Sequence, residues 1–255
     1  MKKYFLYIAA AAFLMAACTK EPILKDPPEE PVTGIITMTT QASEVEVYIR
    51  YLTYEQETDN LIIDWGDGEG SQTYATLPDD PYYYLSVSHN YSGASEHHIT
   101  ITGDNIEQFW CNNQKITALD VSRNPNLKQL YCFGSQLTTL DVSRNTALTD
   151  LHCDNNQLTT LDVSGATALR NLYCKGNQLT KLDMSSNTGL TRLNCINNQL
   201  TASALNDLFR SLHIFFIYSS TKKEQYFQHL WIYDNPGTSD CDVSIAEEKG
   251  WTVMR

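Results

Sequence analysis

The sequence predicts a mixed fold: a small β-sandwich, then a solenoid of short repeats, then an α/β closing unit. Residues 35–105 hold several short alternating apolar segments separated by Gly, Asp and Asn turn signals, the pattern of small antiparallel sheets. From Phe109 onward, columns of like residues recur every 21 residues. A unit that short must stack on copies of itself to bury its apolar face. After residue 201 the period breaks and helical spacing takes over.

The chain opens with Lys2 and Lys3, the apolar run "YFLYIAAAAFLMAA" and Cys18. A basic start, an apolar stretch short for a membrane span, and small residues before a cut describe an export signal over residues 1–17. Ala16, Ala17 and Cys18 resemble the lipobox of bacterial lipoproteins, with Met15 where leucine is usual. That resemblance implies a lipid on Cys18 and an outer-membrane anchor, facing the cell surface or the periplasm. Residues 18–34, with Pro22, Pro27, Pro28 and Pro31 among several acids, read as an extended tether. The net charge of −12 sets the chain against nucleic acid, where binding rests on Lys and Arg. An aromatic content of 11% argues against a wholly disordered chain.

In the N-terminal module, "EVEVYIRYL" alternates, with Val45, Val47 and Ile49 on one face. "LIIDWGDGEG" runs from a strand into a turn, and "YYYLSVSHNYSG" and "HHITITG" supply further strands. Asp64-Trp65-Gly66-Asp67-Gly68, His89-Asn90-Tyr91 and the closing "ITITG" resemble the PKD family of immunoglobulin-like domains. Such modules are spacers or interaction domains. As a calcium loop the stretch fits poorly, because Trp65 and Gly66 take the second and third places. A turn that uses Asp and Gly for backbone reasons is the better reading. Adjacent His97 and His98 point to opposite faces of a strand and cannot share a metal.

In the repeat, Leu119, Leu140, Leu161 and Leu182 form one column, and Leu130, Leu151, Leu172 and Leu193 another. Asp120, Asp141, Asp162 and Asp183 form a third, and Cys111, Cys132, Cys153, Cys174 and Cys195 a fourth. The frame "LRNLYCKGNQL" resembles the leucine-rich repeat over residues 106–201, with cysteine in the third leucine's place. That resemblance implies a parallel sheet whose concave face binds partners. Gln114 and Ser135 depart from it, standing where Asn156, Asn177 and Asn198 form an asparagine column. Cysteine two residues after an inward leucine also points inward, as a small apolar wedge. Strand spacing of about 4.8 Å does not by itself exclude a disulfide, but five stacked residues cannot all pair. Zinc would need convergent ligands that this spacing lacks. The aspartates suit turns whose side chains accept from backbone amides.

Residues 202–255 form the closing unit. Leu205, Leu208, Phe209 and Leu212 fall at helical spacing, "HLWIYDNPG" repeats the strand frame with Ile232 in the cysteine slot, and "WTVM" ends in a strand. Phe215 and Phe216 read as core.

No catalytic constellation, metal site or cofactor motif emerges, so the chain reads as a binding protein and not an enzyme. The candidate site is the outward face of the repeat strands. One column there reads Trp110, Tyr131, His152, Tyr173, Asn194 and Trp231; the next reads Asn112, Phe133, Asp154, Lys175, Ile196 and Tyr233. The expected ligand is a protein or a glycan. A structural spacer is the alternative, and a glycan hydrolase built on Asp150, His152 and Asp154 is the third.

Overall fold

The computed structural model describes residues 34–51, 61–74, 84–93, 95–103, 105–214 and 228–255. The export signal, Cys18, nearly all of the tether, Phe215 and Phe216 lie outside the described residues.

The N-terminal part contains β1 (Ile35–Thr40), β2 (Glu44–Tyr51), β3 (Leu61–Asp64), β4 (Ser71–Tyr74), β5 (Leu85–Asn90) and β6 (His97–Thr102). The solenoid adds β7 (Ile106–Trp110), β8 (Ile116–Asp120), β9 (Gln129–Tyr131), β10 (Asp150–His152), β11 (Asn171–Tyr173) and β12 (Arg192–Asn194). The C-terminal part holds α1 (Ala202–Ser211), β13 (Gln228–Trp231), α2 (Ser244–Glu247) and β14 (Trp251–Met254). One five-stranded sheet runs β4-β3-β6-β1-β8, and one nine-stranded sheet runs β5-β2-β7-β9 and on in order to β14.

Alternation decides the faces of the N-terminal strands. Val45, Val47 and Ile49 point inward from β2, Leu61 and Ile63 from β3, and Ile99 and Ile101 from β6, all buried. Trp65 is buried beside them, with His89 stacked on it at 5.0 Å. Tyr91 donates its hydroxyl to the Trp65 carbonyl at 2.8 Å and stacks on His97 at 3.6 Å. His97 is buried and His98 exposed, as opposite faces require. Asp64 and Asp67 accept the backbone N–H of Gly66 and Glu69, each at 2.9 Å. The glycine-aspartate stretch thus uses its carboxylates to hold a turn.

A strand shared between two pairing modes joins this part to the solenoid. β7 pairs antiparallel with β2 and parallel with β9, so Tyr48, Trp110 and Tyr131 stand in one row. The sheet runs unbroken across residues 105 and 106.

From β9 to β13 the pairing is parallel and in register, with leucines aligned at Leu130, Leu151, Leu172, Leu193 and Leu230. Each ladder cysteine is fully buried and free. The thiols of Cys111, Cys153, Cys174 and Cys195 lie against a carbonyl of the next coil, at 3.5 Å from Cys153 to Tyr173 and 3.4 Å from Cys174 to Asn194. Burial pushes the Cys195 thiol up to about 12 and the Cys132, Cys153 and Cys174 thiols well above their ordinary value. These are packed thiols kept neutral by a dry core.

Two asparagine columns hold the corners. Asn177 donates to the carbonyls of Cys153 and Cys174, both at 3.0 Å, and accepts from the Leu158 amide at 3.0 Å. Asn156 and Asn198 repeat the pattern, and Asn235 carries it across the insertion before β13. At the two departures, Gln114 accepts instead from the Glu46 amide at 3.2 Å, and Ser135 is buried. The second column, Asn124, Asn145 and Asn187, was not read from the sequence. Asn145 donates to the Val121 and Asn124 carbonyls at 2.9 and 2.8 Å, and Asn187 to those of Val163 and Ala166. Each column aspartate accepts the N–H two residues on, as Asp141 does from Ser143 at 2.9 Å.

A further column takes the left-handed conformation: Asn113, Gly134, Asn155, Gly176 and Asn197, with φ between 51° and 68°. Its alternation has a steric cause. A Cβ on Gly134 would lie 2.0 Å from Asn113 Oδ1, and one on Gly176 2.4 Å from Asn155 Oδ1. The Asn113 and Asn155 side chains therefore require glycine in the next coil, whereas Asn197 is followed by Asp234, also left-handed at φ 57°.

In α1, Thr201 accepts the Ala204 amide at 3.3 Å as N-cap, and Leu205, Leu208 and Phe209 are buried at the predicted spacing. Lys249 Nζ donates to the Leu212 carbonyl at 2.7 Å, just past the end of α1.

Replacing Asn177 with alanine strands three buried backbone groups. The expected loss is about 2–4 kcal/mol, read as a lower urea midpoint at unchanged slope. Asn155→Gly, at an exposed left-handed position, should shift stability by less than about 0.5 kcal/mol. Equal midpoints for the Asn177 variant and the wild type would remove the asparagine column from the account.

Candidate binding face on the parallel sheet

The inward leucine and cysteine of each strand fix which side chains face outward. Three columns result. The first is Gln129, Asp150, Asn171, Arg192 and His229, of which sequence reasoning named only Asp150. The second is Trp110, Tyr131, His152, Tyr173, Asn194 and Trp231, all half-buried. The third is Asn112, Phe133, Asp154, Lys175, Ile196 and Tyr233; Lys175 and Tyr233 are exposed and the others half-buried.

The second column is a stack. Trp110 lies on Tyr131 at 5.3 Å, Tyr131 on His152 at 4.4 Å, and His152 on Tyr173 at 4.3 Å, with interplanar angles of 24°, 19° and 15°. Each such contact stabilises by about 0.5–1.5 kcal/mol. Trp231 stands apart, against His229 of its own strand at 5.4 Å. At the other end Tyr84 approaches Trp110 at 5.1 Å, and Tyr48 pairs with it in register. Tyr48 and Tyr84 are 41% and 45% exposed, so they extend this face onto the N-terminal strands. Alternation in "EVEVYIRYL" already placed Tyr48 outward; nothing in the sequence signalled its alignment with Trp110.

Polar partners tie the flanking columns together. Asn171 donates to Asp150 Oδ1 at 2.6 Å, Thr149 donates to Asp150 Oδ2 at 2.7 Å, and Arg192 donates to Asn171 Oδ1 at 3.4 Å. Asp154 accepts the Lys175 amide at 3.0 Å. Burial lowers the His152 pKa, against the opposing pull of Asp150. Burial raises Asp154 to about 6, against the backbone hydrogen bond from Lys175. Asp150, His152 and Asp154 are thus each engaged structurally: two carboxylates by amide or hydroxyl donors, and the imidazole between two rings.

Two cavities of about 600 Å³ lie elsewhere, along the aspartate column, one lined by Asp162, Asp183 and Asp207 and the other by Asp120 and Asp141. No group of three or more His, Cys, Asp or Glu among the described residues is placed to hold a metal ion.

The Asp154 shift has a stability consequence. Its folded pKa lies above the ordinary 3.8. Its contribution to stability is therefore fully present below about pH 4 and is lost as pH rises through about 6. Asp154→Asn keeps a neutral group throughout. Relative to wild type it should gain about 1–2 kcal/mol between pH 4 and pH 7.5. Thermal melts of both proteins across that range check this; a constant difference would refute it.

No family model and no curated protein matches this sequence. Solved structures do. The internalin InlF from Listeria monocytogenes is 21% identical with a TM-score of 0.40, over 52% of this chain and 36% of that one. The functional domain of InlJ from the same organism, described as including a cysteine ladder, is 26% identical with a TM-score of 0.23, over 58% and 49%. A leucine-rich repeat protein from Leptospira interrogans is 21% identical with a TM-score of 0.35, over 53% and 38%. This chain thus spans less than half the length of each. It is a solenoid with a parallel sheet, and its structural neighbours are leucine-rich repeat proteins.

Proposed function

We propose that this chain is a lipid-anchored, surface-displayed binding protein that recognises a protein or a glycan through the outward face of its parallel sheet. The observation that carries this reading is the stack from Trp110 to Tyr173, set between a polar column and a mixed one on an outward face. Phe133, Asp154, Lys175, Trp231 and Tyr233 complete that face. Aromatic edges with polar tips, bordered by amides and both signs of charge, suit recognition. A net charge of −12 disfavours nucleic acid as the ligand.

The anchor rests on Ala16-Ala17-Cys18 after the apolar run, followed by the proline-rich tether. In this reading residues 35–105 are a PKD-like spacer that lifts the repeats of 106–201 from the membrane. Residues 202–255 shield the open end of the repeat core. Outer-membrane placement follows from the lipobox resemblance. The second reading is a spacer without a soluble ligand, and the ring contacts favour it in part, since stacking also stiffens the ladder.

Cys18→Ala should release the protein from the membrane fraction, because each buried acyl methylene contributes about 0.8 kcal/mol to anchoring. A variant that stays membrane-bound with unchanged mobility would end the lipoprotein reading.

The face is tested by replacing Tyr131, Tyr173 and Trp231 together with alanine. Three ring contacts in the main stack disappear, costing about 2–4 kcal/mol, and ligand capture from a glycan array and a surface-protein pull-down should vanish. Tyr131→Phe with Tyr173→Phe keeps the stack and should melt close to wild type. Undiminished capture by the triple variant would decide for the spacer.

A further inference from the structure

The ring stack runs unbroken from Trp110 to Tyr173 and then stops. Tyr131 and His152 carry a ring on both faces, so they offer a ligand only their edges. Tyr173 carries His152 on one face alone. On its other side the register places Asn194, whose Oδ1 turns along its own strand to accept the Ile196 amide at 3.2 Å. No ring among the described residues covers that second face of Tyr173. The next ring, Trp231, stacks with His229 instead.

Charge changes sign at the same step. The coil of β10 carries Asp150 and Asp154 on this face, the coil of β11 carries Lys175 just past its strand, and β12 carries Arg192. Arg192 reaches back to Asn171 at 3.4 Å, so it stands on the same outward face as Tyr173, about 7 Å along the strand direction. Lys175 and Arg192 are exposed, and neither forms an ion pair among the described residues. Lys175 also favours the charged form of Asp154 nearby, so Arg192 is the cation on which the site turns.

We propose that Tyr173, Asn194 and Arg192 form a subsite for a sugar acid, with the C–H face of the pyranose on the Tyr173 ring and its carboxylate on Arg192. Lys175 stands alongside, and the Asn194 amide supplies a donor for a ring hydroxyl. This rests on the binding-face reading and names its ligand. A pyranose offers one weakly polar face and a hydroxyl rim, which matches a single open ring face bordered by amides and a cation. Guanidinium and carboxylate meet through two parallel hydrogen bonds. A protein ligand would call for a broad apolar centre. On this face Tyr233, Tyr48 and Tyr84 reach 40% exposure, and Tyr48 and Tyr84 lie at the far end beside Trp110, so no broad apolar centre forms around Tyr173. The net charge of −12 sets the chain against a polyanion, so the ligand carries few acidic groups.

Calorimetry on the purified full-length chain in detergent tests this with two oligosaccharides of equal length, one ending in glucuronate and one in glucose. The glucuronate form should bind, and the glucose form about tenfold more weakly. Arg192→Gln should bring the first down to the second. Asn194→Tyr continues the stack over the open face and should abolish binding of both while the melting temperature holds or rises. Tyr173→Phe should retain both. Equal affinity for the two sugars, binding of neither, or binding unchanged in Asn194→Tyr overturns the subsite. Protein capture by wild type that persists in Asn194→Tyr overturns the sugar-acid assignment while the face keeps its role. Wild type that captures nothing from the glycan array or the pull-down ends both readings.

Discussion

Each coil of the solenoid must turn a corner inside a dry core, and the carbonyl oxygens at that corner have no water to bond. The Asn156, Asn177, Asn198 and Asn235 side chains resolve this by donating to two coils at once while accepting an amide from the coil before. An unpaired buried carbonyl or amide costs about 1–3 kcal/mol, so from Asn156 onward the asparagine fixes where each coil turns. The leucine and cysteine positions keep the same phase in every coil, because the strand leading into the corner presents the same two side chains inward each time. Cysteine fits that slot as a small, desolvated group whose sulfur lies on a neighbouring carbonyl.

Once the inward side is fixed by packing and hydrogen bonding, the outward side is free to vary. Parallel in-register pairing puts equivalent outward residues directly beside one another at about 4.8 Å, close to a comfortable ring separation. Tyr131, His152 and Tyr173 accordingly stack, and the same geometry turns their faces away from solvent. The stripe therefore displays edges along most of its length and a ring face only where the column is interrupted at Asn194. Stabilising the ladder and shaping the surface are two consequences of one arrangement.

The N-terminal strands solve the problem of the first coil. An open end of parallel strands exposes unpaired backbone groups and an apolar core. Here β2 pairs with β7, and Gln114 takes up the Glu46 amide where the asparagine column has not begun. The aromatic row is thereby carried onto Tyr48 without a break in the sheet.

The 21-residue period, the inward leucines and cysteines, the turn role of the aspartates and the outward aromatic columns were all legible in the sequence. Each follows from local spacing, and a period repeated several times magnifies it. The register of Trp231 with Asn194 across the insertion was legible too, because Ile232 and Asn235 preserve the frame. Contacts between coils and between sheets were not, since no local rule encodes them. The second asparagine column is interrupted by Ala166, and its partners lie 21 and 24 residues away. The alternation of Asn113, Gly134, Asn155 and Gly176 looks like noise along the chain, and only the closeness of adjacent coils shows that one side chain excludes the next. The open face of Tyr173 belongs to the same class. Its sequence gives an asparagine in an aromatic column, and the tertiary structure decides that this asparagine folds down onto its own strand.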